Sequence, residues 1–394
     1  MTFIPKAAVP SHGMPEPSAD ALAHSLQLVD IISDEIHASG GWISFSRYMH
    51  LALYAPGLGY YSGGAKKFGK GGDFVTAPEI SPLFAQTLAQ QAAQVIHQTQ
   101  GSILELGAGT GILAAELLLE LQSLECLPQK YCILEVSAYL RDVQRVTLEQ
   151  KLSPDLLQRV TWLDAMPDNF MGLVLGNEVL DALPVHIIRQ TRTGIVEQGV
   201  AIGEAGFSWQ ELALTSGQLF DFTNSFDFPP GYTTEFCPAA HALIASLASS
   251  LEAGVILMID YGFPRSEYYH PQRSEGSLMC HYRHYAHGDP FLFPGLQDIT
   301  AHVDFTGIAE AGVANGLELL GYVGQAQFLI NCGITEVLTR VSPDDVSAYI
   351  PLASQAQKLL SPAEMGELFK VIALGKHFTE PLIGFVQGDK SHAL

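Results

Sequence analysis

Three alternate glycines that follow an apolar strand are the residues whose spacing indicates chemistry most clearly. The run Ile103–Leu106 contains the acid Glu105 and leads into Gly107, Gly109 and Gly111 and then into a helix-like apolar segment. Glycine permits a sharp turn and a close approach of a ligand to the backbone, because it has no Cβ atom. The pattern predicts a nucleotide-type cofactor at the end of this strand, with a ligand-free turn as the alternative.

The spacing of the glycines separates two classes of cofactor. A dinucleotide fingerprint places its third glycine one residue later, at Ile112, and sets a pyrophosphate on the helix N-terminus. S-adenosylmethionine has no phosphate and carries a sulfonium and an ammonium group, for which the acid Glu105 is a better partner. The sequence favours S-adenosylmethionine and leaves a dinucleotide open.

Acids also follow the next two predicted strands. Glu135 lies near the end of the apolar run 131–136, about one βαβ unit after the glycines, where a carboxylate can accept hydrogen bonds from both ribose hydroxyls. Asp164 ends the strand 160–164 and is assigned to the adenine amino group, with a simple loop aspartate as the alternative. Both residues are therefore candidate cofactor ligands.

The fourth strand, 172–176, runs into the polar segment Asn177-Glu-Val-Leu-Asp-Ala-Leu-Pro184. Ligands of open α/β sheets bind at the carboxyl ends of the strands, so this segment should face the reacting end of the cofactor. In the alternative, Asn177 caps a helix and Glu178 lies in the first turn of that helix.

The order of the predicted elements gives the fold class. Strands alternate with helices from 102 to 176, which predicts a mostly parallel sheet with right-handed crossovers, an α/β Rossmann-like core. An inserted hairpin at 185–200 and a buried strand at 254–260 follow. Further helices are predicted at 20–38, 44–53, 237–250, 304–315, 335–349 and 361–375. The last three helices are expected in a second lobe that is discontinuous in sequence.

Three segments are predicted as domains. Residues 1–95 would form an arm, helices and a glycine-rich loop over the cofactor, although this loop, 60–73, also fits a plain surface linker. Residues 96–262 would form the cofactor-binding core. Residues 263–394 would supply a long acceptor-binding loop and a C-terminal lobe that completes the core.

The chain resembles the MidA-like class I methyltransferases over nearly its whole length. The segments that carry the resemblance are Gly72–Ile80, Leu104–Gly111, Leu134–Ser137, Asn177–Pro184, Ile259–Gly262 and Leu296–Phe305. The glycine motif is common to all class I methyltransferases, whereas the first, fourth and last segments are distinctive of this family. Val179–Leu180 departs from the pair of aromatic residues found in many relatives, which affects the expected acceptor pocket.

The resemblance implies methyl transfer from S-adenosylmethionine to a guanidinium nitrogen of a protein arginine. In the mitochondrial members, which are needed for assembly of respiratory complex I, the product is symmetric dimethylarginine. The implied partner is the large hydrogenase-like subunit of complex I, and a homodimer is left open. Cofactor ligands implied or assigned are Asp73, Thr76, Glu105, Gly107, Gly109, Gly111, Glu135 and Asp164.

Acceptor chemistry adds the candidate catalytic residues. A guanidinium has a pKa above about 12, so its nitrogen is a poor nucleophile until carboxylates orient it. Glu178, beside Asn177, is the first candidate because a carboxylate pairs with arginine in bidentate fashion, and Asp181 is the second. His302 or Asp304 could take the departing proton, with Asp304 as a simple helix cap in the alternative.

The composition limits the remaining classes of function. The chain has 394 residues, 47% hydrophobic and 15% charged, which suffices for a large buried core. Its formal charge of -21 speaks against nucleic-acid binding and favours an arginine-bearing partner. The five cysteines show no metal-ligand spacing, so no metal is expected.

The first residues and the hydropathy predict the location. No apolar run reaches spanning length, so no membrane insertion is expected. The first ten residues lack a secretory h-region and an arginine-rich transit pattern, which predicts a bacterial cytoplasmic protein. Two rival functions stay open: a dinucleotide-dependent oxidoreductase, and a non-catalytic assembly factor that keeps the fold as a binding module.

Overall fold

The computed structural model describes residues 14–63 and 76–394. Its helices are α1 (Ala19–Ala38), α2 (Phe45–Tyr54), α3 (Ala77–Ile80), α4 (Pro82–Thr99), α5 (Ile112–Ser123), α6 (Ala138–Lys151), α7 (Pro154–Leu157), α8 (Gln218–Asn224), α9 (Pro238–Ser250), α10 (Arg265–Tyr268), α11 (Phe305–Ala314), α12 (Gln325–Asn331), α13 (Ile334–Leu338) and α14 (Val346–Leu360). Among the described residues, no helix is both long enough and apolar enough to span a membrane.

The strands are β1 (Ile43–Ser44), β2 (Ser102–Leu106), β3 (Tyr131–Leu134), β4 (Val160–Leu163), β5 (Phe170–Asn177), β6 (His186–Thr191), β7 (Gly194–Gly203), β8 (Gly206–Leu214), β9 (Thr233–Phe236), β10 (Leu251–Phe263), β11 (Met279–Tyr282), β12 (Tyr285–His287), β13 (Asp298–Thr300), β14 (Val303–Asp304), β15 (Glu318–Gly324) and β16 (Phe369–Lys376). Short 3-10 turns lie at Ile383–Phe385 and Ser391–Ala393.

The chain divides into two compact units, each built from three segments. The core unit comprises Val75–Asp181, Ala240–Arg265 and Val303–Leu394. The second unit comprises Met1–Phe74, Ala182–Ala239 and Ser266–His302. The division into three domains predicted from the sequence stays a prediction.

An eight-stranded, mostly parallel sheet organises the core unit. Its order is β15-β16-β10-β5-β2-β3-β4, with β14 paired to β10. The strands from β10 to β4 run parallel, whereas β16 is antiparallel to both of its neighbours, β10 and β15. The predicted α/β Rossmann-like core is thus confirmed, and a second unit that is discontinuous in sequence is present, although it is built from other residues than those predicted.

Continuous apolar runs explain why the central strands lie inside the core unit. Leu173–Leu175 and Val255–Ile259 are at most 1% exposed, as expected for parallel strands covered by helices on both faces. Burial of each such side chain contributes about 1.5–3 kcal/mol relative to exposure. Helix α4, which packs against this sheet, begins where the Ser81 hydroxyl accepts a hydrogen bond from the Leu83 N–H at 3.2 Å.

The C-terminal part of the chain differs from the sequence prediction. The helix predicted at 361–375 is wrong, because Phe369–Lys376 forms strand β16 between β10 and β15. A continuous apolar run such as Val371–Leu374 suits a buried helix and a buried strand equally well, so periodicity could not distinguish them. The residues predicted to form a second lobe therefore supply two strands to the main sheet.

Two further predicted segments need correction. The helix expected at 335–349 is interrupted after α13, and a new helix, α14, begins where the Asp345 carboxylate accepts from the Ala348 N–H at 3.2 Å. Pro343 lies in the interruption, and a proline disfavours the helical conformation of the residue before it, here Ser342. The stretch 262–295, expected as a long loop, contains α10, β11 and β12.

Two antiparallel sheets form the second unit. The five-stranded sheet has the order β1-β7-β6-β9, with β8 paired to β7, and the three-stranded sheet has the order β12-β11-β13. The hairpin predicted at 185–200 is confirmed by the antiparallel pairing of β6 with β7. The predicted helices at 20–38 and 44–53 are confirmed as α1 and α2.

Glycines allow β2, β5 and β10 to approach each other closely where these strands begin. A Cβ atom at Gly172 would overlap the carbonyl oxygen of Ser102, and one at Gly254 would overlap the carbonyl oxygen of Gly172. Both glycines also have a positive φ, +131° and +138°. No other residue type fits these positions without a shift of the strands.

Substitution of Gly172 by alanine tests this close approach. Gly206 has the same φ of +131° but open space around its Cβ position, so Gly206→Ala is a matched control for backbone strain alone. We expect Gly206→Ala to cost about 1–2 kcal/mol and to lower the Tm by a few degrees. Gly172→Ala should lower the Tm at least about three times as much, because backbone atoms must also move. Equal shifts by calorimetry would contradict the overlap argument.

Candidate functional site

The glycine turn after β2 has the backbone conformation that its sequence predicted. Gly107, Gly109 and Gly111 have φ values of +58°, +52° and +82°, in the left-handed region that side chains disfavour. Gly107 donates its N–H to the carbonyl oxygen of Leu134 at 3.0 Å, which ties the turn to the end of β3. Gly111 is the N-cap residue of α5. The three glycines therefore place no side chains of their own over the backbone of this turn at the start of α5.

Glu105, in β2, is a buried acid two residues before this turn. It is 3% exposed, and its Oε2 accepts a hydrogen bond from the Tyr131 hydroxyl at 2.7 Å. Burial raises the pKa of Glu105 to about 7, with a contribution from the Glu135 charge, whereas the Tyr131 hydrogen bond opposes the shift. A cation nearby would favour the charged form of this carboxyl group.

Glu135 follows β3 and is held by two hydrogen bonds. It is 4% exposed; its Oε1 accepts from the Ser137 N–H at 2.9 Å, and its Oε2 accepts from the Gln144 amide at 3.0 Å. Burial raises the pKa of Glu135, and these hydrogen bonds oppose the shift. The next residue, Val136, is 80% exposed and presents an apolar surface beside the carboxylate.

Gln144, on α6, is a site residue that the sequence analysis missed. Its Nε2 donates to the Gly109 carbonyl oxygen at 3.1 Å and to Glu135, and its Oε1 accepts from the Trp162 indole at 2.9 Å. It is fully buried. One side chain thus connects the glycine turn, the end of β3 and the strand β4. The available signal was its spacing, since Leu140, Gln144 and Leu148 form the buried stripe of α6.

Asp164 directly follows β4, as predicted, and pairs with an arginine. Its side chain is 91% exposed, and its Oδ1 accepts from Arg141 Nη1 at 2.6 Å. Arg141 also donates to the carbonyl oxygens of Glu135 and Leu163, at 2.7 and 2.6 Å. The arginine therefore fixes the ends of β3 and β4 relative to each other.

The segment after β5 brings Asn177 and Glu178 together. The Asn177 amide donates to Glu178 Oε1 at 3.1 Å, which sets the orientation of the amide. Asn177 Oδ1 is buried and has no hydrogen-bond partner among the described residues. The alternative in which Asn177 caps a helix is wrong, because the described residues 178–185 contain no helix. Glu178 instead adopts a left-handed turn with a φ of +54°.

Asp181 and Thr76 also belong to the core unit. Asp181 is 5% exposed and lies in the turn after Glu178. Thr76 directly precedes α3 without capping it through its side chain. Glu79 of α3 accepts a hydrogen bond from the Thr110 hydroxyl, which connects α3 with the glycine turn. Asp73 and most of the glycine-rich loop lie outside the described residues.

Asp304 and His302 lie in different units. Asp304 is the N-cap of α11, since its carboxylate accepts from the Gly307 N–H at 3.2 Å, and Arg265 Nε lies 3.7 Å from it. Burial raises the pKa of Asp304, whereas the Arg265 charge opposes the shift. His302 is the last residue of the second unit, and its backbone N–H donates to the Ser277 hydroxyl at 3.0 Å. The capping role weighed for Asp304 is therefore present.

The raised pKa of Glu105 predicts how stability varies with pH. Because its folded pKa of about 7 exceeds the ordinary value of 4.5, the native state retains a proton that the unfolded chain releases between these values. The stabilisation is full below the lower pKa and is lost as the pH rises through the upper one. We expect the free energy of unfolding of the wild type, relative to Glu105→Gln, to fall by up to about 3 kcal/mol across this window.

Urea unfolding of both proteins at several pH values measures this difference. Buried acids that do not interact with Glu105 contribute equally to both proteins, so their contributions cancel in the comparison, whereas Glu135, which interacts with Glu105, is part of the measured difference. A difference that stays flat or grows with pH would show that Glu105 is charged in the native state.

Similarity to known proteins agrees with this geometry. Residues 85–323 match a family model described as "Putative S-adenosyl-L-methionine-dependent methyltransferase". The bovine protein arginine methyltransferase NDUFAF7, mitochondrial, is 30% identical over 375 residues, which cover 86% of this chain and 81% of that protein. The human protein of the same name is 29% identical over 378 residues, covering 86% and 81%.

Solved structures include two similar proteins from Burkholderia thailandensis. A crystal structure bound to S-adenosyl-homocysteine has a TM-score of 0.94 and 50% identity, and covers 97% of this chain and 100% of that chain. A native crystal structure has a TM-score of 0.92, with the same identity and coverage.

These relatives correct the predicted location. The mammalian proteins are mitochondrial by name, so the prediction of a cytoplasmic protein is wrong. A short N-terminal stretch without a leader pattern was insufficient to establish a location.

The similarity also decides between the cofactors left open above. The family model and the relatives are methyltransferases, and the structure neighbour binds the demethylated form of S-adenosylmethionine, so the dinucleotide alternative loses its support. The chain belongs to the family of class I methyltransferases that use S-adenosyl-L-methionine as their cofactor.

Proposed function

We propose that this protein transfers a methyl group to a guanidinium nitrogen of an arginine in a protein substrate. The observation that carries the proposal is the pair of acceptor groups at the end of β5. The buried Asn177 Oδ1 has no partner among the described residues, and the Glu178 carboxylate lies beside it. A buried acceptor without a donor costs about 1–3 kcal/mol, which a ligand with N–H groups would offset. The arginine specificity of the named relatives supports the same acceptor.

The ends of β2, β3 and β4 fit the cofactor. The glycine turn gives close access to backbone atoms, and Glu135 is oriented by Ser137 and Gln144 so that its carboxylate can receive ribose hydroxyls. Val136 would cover one face of the adenine ring through its exposed side chain. Glu105 would offset positive charge on the amino-acid portion. When bound, S-adenosylmethionine supplies the electrophilic methyl group.

Further cofactor ligands stay proposals. Asp164 can accept from the adenine amino group through the oxygen that Arg141 leaves open, since only Oδ1 carries the hydrogen bond described above. Thr76, before α3, would border the site, and Asp73, which lies outside the described residues, stays a candidate ligand from the sequence alone. The hydrogen bond from Thr110 to Glu79 supports such a link for α3.

Glu178 and Asn177 would orient the acceptor. A guanidinium presents its N–H groups in a planar fork, which a carboxylate and an amide oxygen on adjacent residues can receive together. Such an orientation aligns a nitrogen lone pair with the methyl group, and alignment contributes several kcal/mol to this class of displacement. The Glu178 carboxylate can then also hold the proton that the nitrogen loses.

Asp181, His302 and Asp304 are secondary candidates for the proton transfer. Asp304 already caps α11 and lies near Arg265, which accounts for its burial without a catalytic role. Asp181 is buried in the same turn, three residues after Glu178. We therefore assign the proton acceptor to Glu178 first.

The substrate is proposed to be the large hydrogenase-like subunit of respiratory complex I, with symmetric dimethylarginine as the product. The resemblance to the MidA-like family supports this choice. The net charge of -21 suits a partner with exposed arginine residues. A non-catalytic assembly factor is the second hypothesis, and the tests below distinguish it from an active methyltransferase.

Cofactor binding is tested by calorimetric titration with S-adenosylhomocysteine, S-adenosylmethionine and NAD. We expect the two adenosyl ligands to bind and NAD not to bind. Gly109→Val should weaken binding at least about 100-fold, because its side chain would occupy the ligand side of a left-handed turn. Gly316→Val is the control, since Gly316 also has a positive φ, +82°, but has open space around it. Unchanged affinity in Gly109→Val would contradict the location of the site.

Turnover is tested with Glu178→Gln. The variant keeps its shape but loses its charge, so S-adenosylhomocysteine affinity should stay within about threefold while methyl transfer falls at least about 100-fold. The measurement follows methyl incorporation into the purified complex I subunit, with mass spectrometry to identify methylarginine. Normal methylation by the variant would refute the assignment, and binding without any methylation by the wild type would favour the assembly factor.

A further inference from the structure

Asp260, on β10, makes an unusual set of contacts with the turn after β5. It is 1% exposed, and its Oδ2 accepts the backbone N–H groups of Val179, Leu180 and Asp181 at 3.1, 2.8 and 3.3 Å. Its Oδ1 accepts the N–H of Tyr261 at 2.9 Å. One oxygen atom thus holds three consecutive amides that no helix satisfies.

The same turn contains a residue in a costly backbone conformation. Glu178 has a φ of +54°, which costs a residue with a side chain about 1 kcal/mol or more. Its N–H donates to the carbonyl oxygen of Ile259 at 2.9 Å. Ile259 and Asp260 are neighbours on β10, so two adjacent residues of one strand bind four consecutive amides of the turn. Glu178 is therefore held on both sides.

From these contacts we infer that Asp260 is a positioning residue for the methyl acceptor. Its carboxylate holds the turn 178–181 against β10, and this fixes the direction in which Glu178 and Asn177 meet the guanidinium. The inference rests on the proposed function of Glu178 and adds a residue that acts through the backbone of the turn. A displacement of about 1 Å at such a position can cost about 100-fold in rate.

The electrostatic surroundings make a role in packing alone a poor explanation. Burial raises the pKa of Asp260 well above its ordinary range, and the carboxyl groups of Asp181 and Glu178 add to this shift. A buried carboxyl beside two others is expensive, and an apolar side chain of similar size would avoid that cost. Only an acceptor with two oxygens satisfies all four N–H groups at once.

Asp260→Ala and Asp260→Asn test the inference, with Glu120→Gln as the matched control. Glu120 is likewise buried in the core unit and accepts from both Arg340 Nη atoms at 2.9 Å, but has no part in the turn. In Asp260→Asn the amide oxygen can serve three of the N–H groups, while the NH2 group faces the Tyr261 N–H. We therefore expect graded effects, larger for alanine than for asparagine.

Amide hydrogen exchange measures the hold on the turn without reference to activity. In Asp260→Ala, the amides of residues 179–181 should exchange at least about tenfold faster than in the wild type, and those of Glu120→Gln should not change. Unchanged exchange in Asp260→Ala would overturn the inference. This readout remains decisive even if the wild type methylates no arginine, a result that would defeat only the proposed function.

Kinetics distinguish positioning from a general loss of stability. We expect kcat to fall at least about tenfold in Asp260→Asn and further in Asp260→Ala, while S-adenosylhomocysteine affinity stays within about threefold. Glu120→Gln should lower the Tm but leave kcat unchanged. If kcat falls in Asp260→Ala only as far as in Glu120→Gln, or if cofactor affinity falls equally, Asp260 has a structural role alone and the inference is wrong.

Discussion

The parallel hydrogen-bond register of β3, β2, β5 and β10 is the constraint on which the site depends. Leu106 of β2 is paired with Leu134 of β3 and with Gly176 of β5, and Asn177 is paired with Ile259 of β10. The residues that follow these pairs must therefore emerge at one edge of the sheet. A slip of one residue in any strand would turn its acid to the other face. The glycines that let β2, β5 and β10 approach each other, at the opposite end of the strands, support this register.

The edge so formed concentrates acids that water does not solvate. Glu105, Glu135 and Asp260 are all nearly buried, and burial raises the pKa of each. Their hydrogen bonds come from Tyr131, Gln144 and backbone amides, and together these donors make the cost of burial tolerable. Such an environment suits ligands that bring positive charge and N–H donors, as S-adenosylmethionine and a guanidinium do. The burial of these acids therefore explains both their need for hydrogen-bond donors in the protein and their suitability for the proposed ligands.

Much of this arrangement could be predicted from local sequence. The apolar runs of β2, β3 and β5, the glycines at 107, 109 and 111 and the acid after β3 each have a short-range signal, and the structure has them as expected. Strand β16 could not be identified in the same way, because its burial between β10 and β15 is a tertiary property that a continuous apolar run does not reveal. The turn conformation after β5 could not be predicted either, since asparagine followed by an acid is also typical of the start of a helix. The spacing of Gln144 on α6 indicates that it is buried, but the partners of Gln144 and Asp260 are distant in sequence, so spacing does not reveal these contacts.

The central claim is that the strand ends hold the cofactor while Asn177 and Glu178 hold an arginine. A crystal structure of the protein with S-adenosylhomocysteine and an arginine-containing peptide tests it most directly. We expect ribose hydroxyls on the Glu135 carboxylate and a guanidinium within hydrogen-bond distance of both Glu178 and Asn177 Oδ1, with its nitrogen facing the ligand sulfur. A guanidinium bound elsewhere, with Asn177 Oδ1 still unpartnered, would contradict the account.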